Sequence, residues 1–230
     1  HPDGSGICYS SRLRPLLTMR PQFLLWLHNQ ARHFSADLYL IEWLETNGIA
    51  YDVATDEDLH VLGGELLEGY AVVLTGGHPE YWTWEALETL ERYLAASGKL
   101  MYLGGNGFYW VTAMRAEAPH VIEVRRGVSG IRAWTSHPGE IALSLTGEQG
   151  GLWRYRGKTP NSLCGIGFAS EGWGGAPGYV RTPDSLDPRA AFIFEGIGPD
   201  EIIGDFGFVM GGAAGDEIEP GSGGRLGVTS

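Results

Sequence analysis

The sequence predicts an α/β protein built around a parallel sheet. Between residues 36 and 105, helical patterns alternate with short strands in the order β-α-β-α-β, which is typical of parallel strands joined by crossover helices. Two of these strands, VVLT at 72–75 and LMYL at 100–103, are almost continuously apolar, as burial on both faces of a sheet requires. A chain of 230 residues is long enough to bury a substantial core.

The first elements of this region are short and well delimited. Asp37–Asn47 places apolar side chains on a broad helix face, and Gly48 follows as a C-terminal cap glycine. Ile49–Thr55 is a predicted strand. Asp56–His60 reads as a helical turn and Gly64–Tyr70 as a short helix.

The next elements carry the clearest pattern. Residues 71–75 form a strand that breaks at two glycines. Thr83 is a suitable N-cap for a helix over Trp84–Ala96, whose leucines recur at helical spacing. Ser97–Gly98 ends this helix, and Lys99–Leu103 is the strand that follows it.

After about residue 110 the apolar pattern becomes one of short runs separated by glycine and proline turns, which predicts antiparallel strands. The runs are Val121–Val124, Ile141–Leu145, Ala191–Glu195 and Ile202–Phe206. We expect an N-terminal connecting segment (1–35), an α/β core (36–112) and a β-rich continuation of the same domain (113–230) with an irregular tail.

The composition of the chain argues against several classes of function. A formal net charge of −12 argues against nucleic acid or an anionic membrane as partner. The longest apolar runs, such as Phe23–Leu27, are too short to span a bilayer. Cys8 and Cys164 give neither a disulfide framework nor a zinc spacing, so we expect a cytoplasmic protein. The chain begins at His1 without a methionine, and we expect it to belong to a longer polypeptide.

The segment AVVLTGGHPEYW at 71–82 is the strongest candidate site. Ligands of α/β proteins bind beyond the carboxyl ends of the strands, and here His78 and Glu80 follow a strand and a glycine turn. An imidazole and a carboxylate suit metal or acid–base chemistry. The alternative is structural: Pro79 begins a helix, Glu80 complements its dipole and His78 is a surface turn residue.

Asn106 follows the next strand in the same glycine-glycine-polar pattern. If the two strands are neighbours, both turns open at one edge of the sheet, and Asn106 could donate a hydrogen bond to a substrate carbonyl. The alternative is an asparagine in a left-handed turn position.

Other candidates carry weaker signals. Tyr9 follows a glycine-rich turn, and a phenolate favours ferric iron, but a lone tyrosine is usually structural. Further candidates, each with a solvated surface as the alternative, are Arg12 and Arg14 for an anion and Asp56, Glu57, Asp58 and His60 for a cation. The turn at 76–80 has the shape of a nucleophile elbow with histidine in place of serine or cysteine, so hydrolytic chemistry here should be metal-assisted.

Seven motifs in order resemble the large subunit of N,N-dimethylformamidase and its relatives. They are GSGICYSSRLRP, DLYLIEWLE with YDVATDEDLH, VVLTGGHPEYW, LMYLGGNGFYWV, HVIEVRRG, DPRAAFIFEGIG and IIGDFGFVMGGAAGDEIE. Together they cover nearly the whole chain.

This resemblance implies a class I glutamine amidotransferase-like, three-layer α/β domain without the catalytic cysteine. It also implies a mononuclear ferric iron held by two tyrosines and a glutamate, and hydrolysis of a small N-substituted formamide to an amine and formate. Residue by residue, Glu80 would be the glutamate ligand, His78 the acid–base residue and Asn106 a substrate-positioning residue. Tyr9 would be the nearer tyrosine ligand, and the other tyrosine would lie upstream of His1.

The resemblance also allows for a small second subunit and homo-oligomerisation. We expect the aromatic side chains of Tyr81, Trp82, Phe108 and Trp110 to form an apolar pocket for N-alkyl groups. The competing hypotheses are a metal hydrolase for another amide or ester and a non-catalytic binding or assembly module. The module would use Trp153, Phe168, Trp173 and Tyr179 as interface anchors.

Overall fold

The computed structural model describes residues 7–26, 29–127, 141–171, 175–206, 211–212, 217–218 and 228–229. The α-helices in these ranges are α1 (Phe34–Thr46), α2 (Asp56–Leu62), α3 (Gly64–Leu67), α4 (Trp84–Ala95) and α5 (Pro160–Cys164). The strands are β1 (Tyr9–Ser11), β2 (Val72–Leu74), β3 (Tyr81–Trp82), β4 (Lys99–Met101), β5 (Trp110–Arg115), β6 (Ala118–Val124), β7 (Ser170–Glu171), β8 (Val180–Arg181), β9 (Glu217–Ile218) and β10 (Val228–Thr229).

Helix α4 confirms the clearest helix prediction. The Thr83 side chain accepts a hydrogen bond from the N–H of Ala86 at 3.2 Å, which satisfies one of the donors that a helix start leaves open. Ala86, Leu87 and Leu90 form its buried face, as the spacing predicts. The predicted helices at α1, α2 and α3 are also present, with α1 beginning earlier and α3 ending earlier than predicted.

The predicted strand at Ile49–Thr55 is wrong. These residues are irregular and none of the described strands pairs with them. The Val53 residue is 74% exposed, so its β-branched side chain gains nothing from burial. Strand propensity depends on packing against neighbouring strands, and the described ranges supply no such neighbour here.

The described strands form one mixed four-stranded sheet and three two-stranded sheets, one of which is the pair β2–β4. β2 pairs in parallel with β4, and β3 pairs in parallel with β5, so the predicted parallel crossover through α4 is confirmed. β5 and β6 form an antiparallel hairpin, and β1 adds antiparallel to β6, which gives the order β1-β6-β5-β3. The predicted boundary at residue 112 therefore falls inside β5, and the predicted connecting segment supplies a strand. The three-layer arrangement stays a prediction.

The predicted strands of the C-terminal half are mostly wrong. Val121–Val124 lies in β6 as expected. Ile141–Leu145 forms turns and one isolated bridge, Ala191–Glu195 falls largely in a 3₁₀ helix over Pro188–Phe194, and Ile202–Phe206 is a loop with one bridge at Ile203. Within the described residues, these apolar runs form at most one isolated bridge each and no continuous strand pairing.

The main core lies between α4 and the sheet. Trp82, Phe108, Val111 and Trp153 are buried there with the apolar face of α4. Phe108 joins the segment after β4 to this core, and the indole N–H of Trp82 donates to the Pro79 carbonyl in the loop after β2. Among the helices of the described ranges, none has the length and apolar character needed to cross a membrane.

Candidate active site

Two glycine turns meet at the carboxyl ends of β2 and β4. The N–H of Gly105 donates to the carbonyl oxygen of Gly77 at 3.1 Å. A Cβ atom at Gly104 would lie 2.1 Å from that same oxygen, so the approach requires glycine at position 104. The prediction that both turns open at one edge of the sheet is confirmed.

Main-chain bonds continue this contact through Glu80. Phe108 N–H donates to the carbonyl of Pro79 at 2.9 Å, and the N–H groups of Tyr109 and Trp110 donate to that of Glu80 at 3.1 and 2.8 Å. Glu80 directly precedes β3, and α4 begins four residues after it. The structural alternative in which Pro79 and Glu80 begin a helix is therefore wrong.

The His78 side chain faces the N-terminal end of α1. Its Nε2 atom lies 3.1 Å from Nη2 of Arg32, and the ring of His33 contacts it edge-on at a centroid distance of 5.2 Å. Because a guanidinium only donates hydrogen bonds, Nε2 of His78 is the acceptor in this contact. His78 is thus a residue with defined neighbours and not a surface turn residue.

Glu80 lies among phenols and a guanidinium. The Arg126 side chain donates to the Tyr81 hydroxyl at 2.8 Å and stacks over the Trp110 ring at 4.6 Å. Burial raises the pKa of Tyr81, the negative charge of Glu80 raises it further, and Arg126 opposes both. Burial also raises the pKa of Tyr109, again with a contribution from Glu80. Both phenols are therefore held in their neutral form beside the Glu80 carboxylate.

Asn106 adopts a left-handed backbone conformation, with φ of 54°. Asparagine tolerates this region better than most residues, so the conformational interpretation of Asn106 is confirmed. Its predicted contact with substrate stays a prediction.

Comparison with known proteins shows which family the chain resembles. Residues 1–223 match the family model described as N,N-dimethylformamidase beta subunit-like, C-terminal. The chain belongs to this family. It is 46% identical over 223 residues to the N,N-dimethylformamidase beta subunit of Paracoccus aminophilus and 45% identical over 223 residues to that of an Alcaligenes species. Each alignment covers 95% of this chain and 28% of the relative, so the chain spans under a third of the length of these curated relatives.

In this dimethylformamidase-like chain, Tyr9 lies apart from Glu80. Its hydroxyl shares a hydrogen bond with Ser144 Oγ and accepts one from Arg125 at 3.3 Å. Two strands separate β1 from β3, so three strand spacings of about 4.8 Å put their backbones about 14 Å apart. The structure therefore brings His78, Glu80 and the Asn106 turn together, and it holds Tyr9 in a different set of contacts.

The residues around Glu80 fit part of an iron site. Carboxylate and phenolate oxygens are hard donors, which suit ferric iron, and the carboxylate of Glu80 is such a donor. Within the described ranges, however, no three His, Cys, Asp or Glu side chains are close enough together to hold a metal ion. Glu80 can thus supply one ligand, and a complete set needs further donors such as tyrosines.

Several weaker candidates have structural roles in this family member. Arg12 forms an ion pair with Glu57, and Asp58 forms a capping box with Thr55 at the start of α2. His60 lies 3.0 Å from the Thr83 hydroxyl. The acidic patch therefore lies on α2 and caps and anchors this helix, and the alternative of a solvated surface loop is wrong.

Two aromatic predictions are corrected. Trp82, Phe108 and Trp110 are buried, and the Trp82 and Phe108 rings lie 4.8 Å apart in the core, so they do not line an open pocket. Trp153 is fully buried and cannot be an interface anchor. Phe168 packs edge-on against Tyr109, the main chain of Tyr179 pairs with that of Ile203, and Trp173 lies outside the described residues.

Sequence reasoning missed the side chains that surround the predicted site. Arg32 and Arg126 contact His78 and Tyr81 from positions more than 40 residues away in the chain. No local pattern marks either arginine. The sequence shows only that both residues are basic, and a basic side chain is suited to contact a carboxylate or a neutral histidine.

Proposed function

We propose that this chain carries part of the active site of an amide hydrolase that converts small N-substituted amides, such as N,N-dimethylformamide, into an amine and formate. The observation that supports this proposal is the joined pair of turns, which gathers His78, Glu80 and Asn106 in a chain whose relatives are named N,N-dimethylformamidase beta subunits. We also propose that the chain adopts a class I glutamine amidotransferase-like fold.

Glu80 is the residue proposed to hold a mononuclear ferric iron, with Tyr9 and a second tyrosine as the other ligands. When bound, such an ion polarises an amide carbonyl and makes a bound water more acidic. Hard cations bind oxygen ligands within about 2–2.6 Å, so Tyr9 would have to leave Ser144 and Arg125 to join Glu80.

His78 is the proposed acid–base residue. Its Nε2 atom accepts a hydrogen bond from Arg32, and that lone pair is also what a general base needs. A water molecule that replaced Arg32 at Nε2 could pass its proton to the ring, and the ring could return this proton to the departing amine. Departure of an amine requires this protonation, so one histidine serves both steps.

Asn106 is the proposed substrate-positioning residue. Its amide group can donate a hydrogen bond to a carbonyl oxygen and stabilise the charge that develops there. The left-handed turn and the main-chain bonds on either side of it hold its backbone in place, so little ordering is needed when substrate binds.

Replacement of His78 tests the proton-transfer role. General acid–base help contributes about 10²–10⁴-fold, so His78→Ala should lower kcat by at least about 10² while iron content stays unchanged. Amine and formate release would be measured on the full-length protein. The matched control is His120→Ala, which removes a histidine from β6, and full activity in His78→Ala would contradict the proposed role.

Replacement of Glu80 tests the metal role. A ferric–tyrosinate centre absorbs visible light, so the full-length protein should be coloured and contain iron by elemental analysis. Glu80→Ala should lose both the colour and the metal, whereas Glu85→Ala on the exposed side of α4 should keep them. A colourless, iron-free protein without hydrolytic activity would instead support the binding-module hypothesis.

We further propose that the complete protein associates with a second, smaller subunit and forms homo-oligomers. The relatives are named as beta subunits, which supports a partner subunit in those proteins. Light scattering after size-exclusion chromatography of the full-length protein, alone and with candidate subunits, would measure the assembly.

A further inference from the structure

The carboxylate of Asp37 rests directly on the turn that precedes His78. Asp37 lies in the first turn of α1, and its Oδ1 accepts a hydrogen bond from the N–H of Gly77 at 2.7 Å. This bond joins two residues 40 positions apart in the chain. A main-chain N–H bonded to an ionised carboxylate is one of the stronger hydrogen bonds in proteins.

The two glycines of the turn leave room for this carboxylate. A Cβ atom at Gly76 would lie 2.9 Å from Oδ2 of Asp37, and one at Gly77 would lie 3.3 Å from Oδ1. Neither glycine has a positive φ angle, so left-handed backbone geometry does not explain them. The close fit of the Asp37 carboxylate does.

The same end of α1 also contacts the His78 ring. Arg32 and His33, just before the helix, lie against this ring, while Asp37 holds the main chain one residue before it. The backbone and the side chain of His78 are thus both fixed from one short stretch of chain.

We propose that Asp37 is a positioning residue for His78, which acts by fixing the Gly76–Gly77 turn through its carboxylate. This inference rests on the proposed function, in which His78 transfers the proton. Displacement of a reacting group by about 1 Å can cost about 10²-fold in rate. An anchor on the adjacent peptide is therefore in a position to control catalysis without touching substrate.

The first test compares substitutions of Asp37 in the full-length protein. Asp37→Ala removes the acceptor and should lower kcat by about 10–100-fold with little change in KM. Asp37→Asn keeps an oxygen at the same position and should retain activity within about threefold. Glu42→Ala removes an exposed carboxylate from the same helix and should behave as the unchanged protein does.

A double-mutant cycle separates positioning from general damage. If Asp37 acts through His78, Asp37→Ala should lower kcat by less than about threefold when His78 is already alanine. Equal losses in both backgrounds would overturn the proposal.

Nuclear magnetic resonance of histidine-labelled protein provides a readout independent of activity. The His78 ring signals, assigned from His78→Ala, should shift in Asp37→Ala and stay in place in Glu42→Ala, and the His120 signals should not move in either variant. Unchanged His78 signals in Asp37→Ala would overturn the proposal. If the unmodified protein hydrolyses no amide, the proposed function fails, while these signals still decide the role of Asp37.

A second variant serves if Asp37→Ala does not fold. Gly76→Ala keeps Asp37 but places a methyl group 2.9 Å from its carboxylate, so it should push the carboxylate off the turn and shift the same His78 signals. Absence of that shift in a folded Gly76→Ala protein would count against the proposal.

Discussion

Glu123 fixes the chain around Ser144 to the sheet. Its side chain is completely buried on β6. The carboxylate accepts hydrogen bonds from the N–H groups of Ser144 and Leu145, each at 2.9 Å, and from Arg125 at 2.5 Å. Burial alone would raise the pKa of Glu123, but these hydrogen bonds outweigh it and hold the pKa below its ordinary value.

Replacement of Glu123 should destabilise the fold. Glu123→Gln puts an NH₂ group among donors and leaves Arg125 without its anionic partner, so the free energy of unfolding should fall by about 1–3 kcal/mol. Urea unfolding at about pH 7 measures the change. Glu117→Gln, with its side chain 82% exposed in the β5–β6 turn, should change stability by less than about 0.5 kcal/mol, and an equally small effect at Glu123 would contradict this account.

At the scale of single residues, the sequence allowed prediction of site residues that lie next to a recognisable strand or turn. His78, Glu80 and Asn106 directly follow strands and glycine turns, so their placement could be predicted. The neighbours Arg32 and Arg126 reach the site through contacts between distant segments. Such contacts leave no periodicity or spacing in the sequence, so they could not be predicted.

The two joined loops are the central element of the site. Their main chains leave no room for a side chain at position 104, since an added Cβ would lie 2.1 Å from the carbonyl oxygen of Gly77. A backbone atom cannot rotate away as a side chain can. Any side chain at position 104 must therefore push the loops apart.

Gly104→Ala should separate the loops. We expect a loss of about 1–3 kcal/mol in the free energy of unfolding, as for other overpacked sites, together with a lower kcat because Asn106 moves away from His78. Gly64→Ala is the matched control, because nothing lies within 4 Å of its added Cβ. Denaturant unfolding and amide hydrolysis measure the two effects, and equal stability of the two variants would contradict the prediction.

At the scale of elements, helices were predictable and several strands were not. The signals that predict helix α4 are local in the sequence, namely the Thr83 cap and a repeating apolar face. The run at Ile49–Thr55 has strand-forming residues but pairs with no strand in the described part of the chain. Strand pairing is decided by distant segments, which explains why the helix prediction succeeded and this strand prediction failed.

The free energy of unfolding of the whole molecule should depend on pH in the acidic range. The pKa values of Glu57, Asp58, Asp187 and Glu123 lie below their ordinary values. A carboxyl group with a lower pKa in the folded state stabilises the fold above its unfolded pKa, and this contribution is lost as the pH falls through the folded pKa.

Stability should therefore decline below about pH 4.5, and most of the decline should come from Glu123, because exposed ion pairs contribute little. Urea unfolding at several pH values between about 3 and 7 measures this dependence. The stability difference between the unmodified protein and Glu123→Gln should shrink as the pH falls. A constant difference across this range would show that the ionised form of Glu123 is not what stabilises the fold.

For the whole molecule, the parallel crossover was predictable and the mixed sheet was not. The strands before and after α4 are apolar runs linked by a clear helix, so their parallel pairing followed from chain geometry. The addition of β1 to β6 joins residues more than 100 positions apart. Nothing in the three residues of β1 indicates that partner.

The bonds between the two loops also determine where the site can vary. Their donors at positions 105, 108, 109 and 110 are main-chain N–H groups, which every residue except proline provides. Side chains at the half-buried positions of these loops could therefore be exchanged in a mutant library without removing the bonds that join the loops. In engineering terms, substrate range is separable from scaffold integrity at those positions, whereas the glycines at 76, 77 and 104 and the buried Phe108 and Trp110 have to be kept.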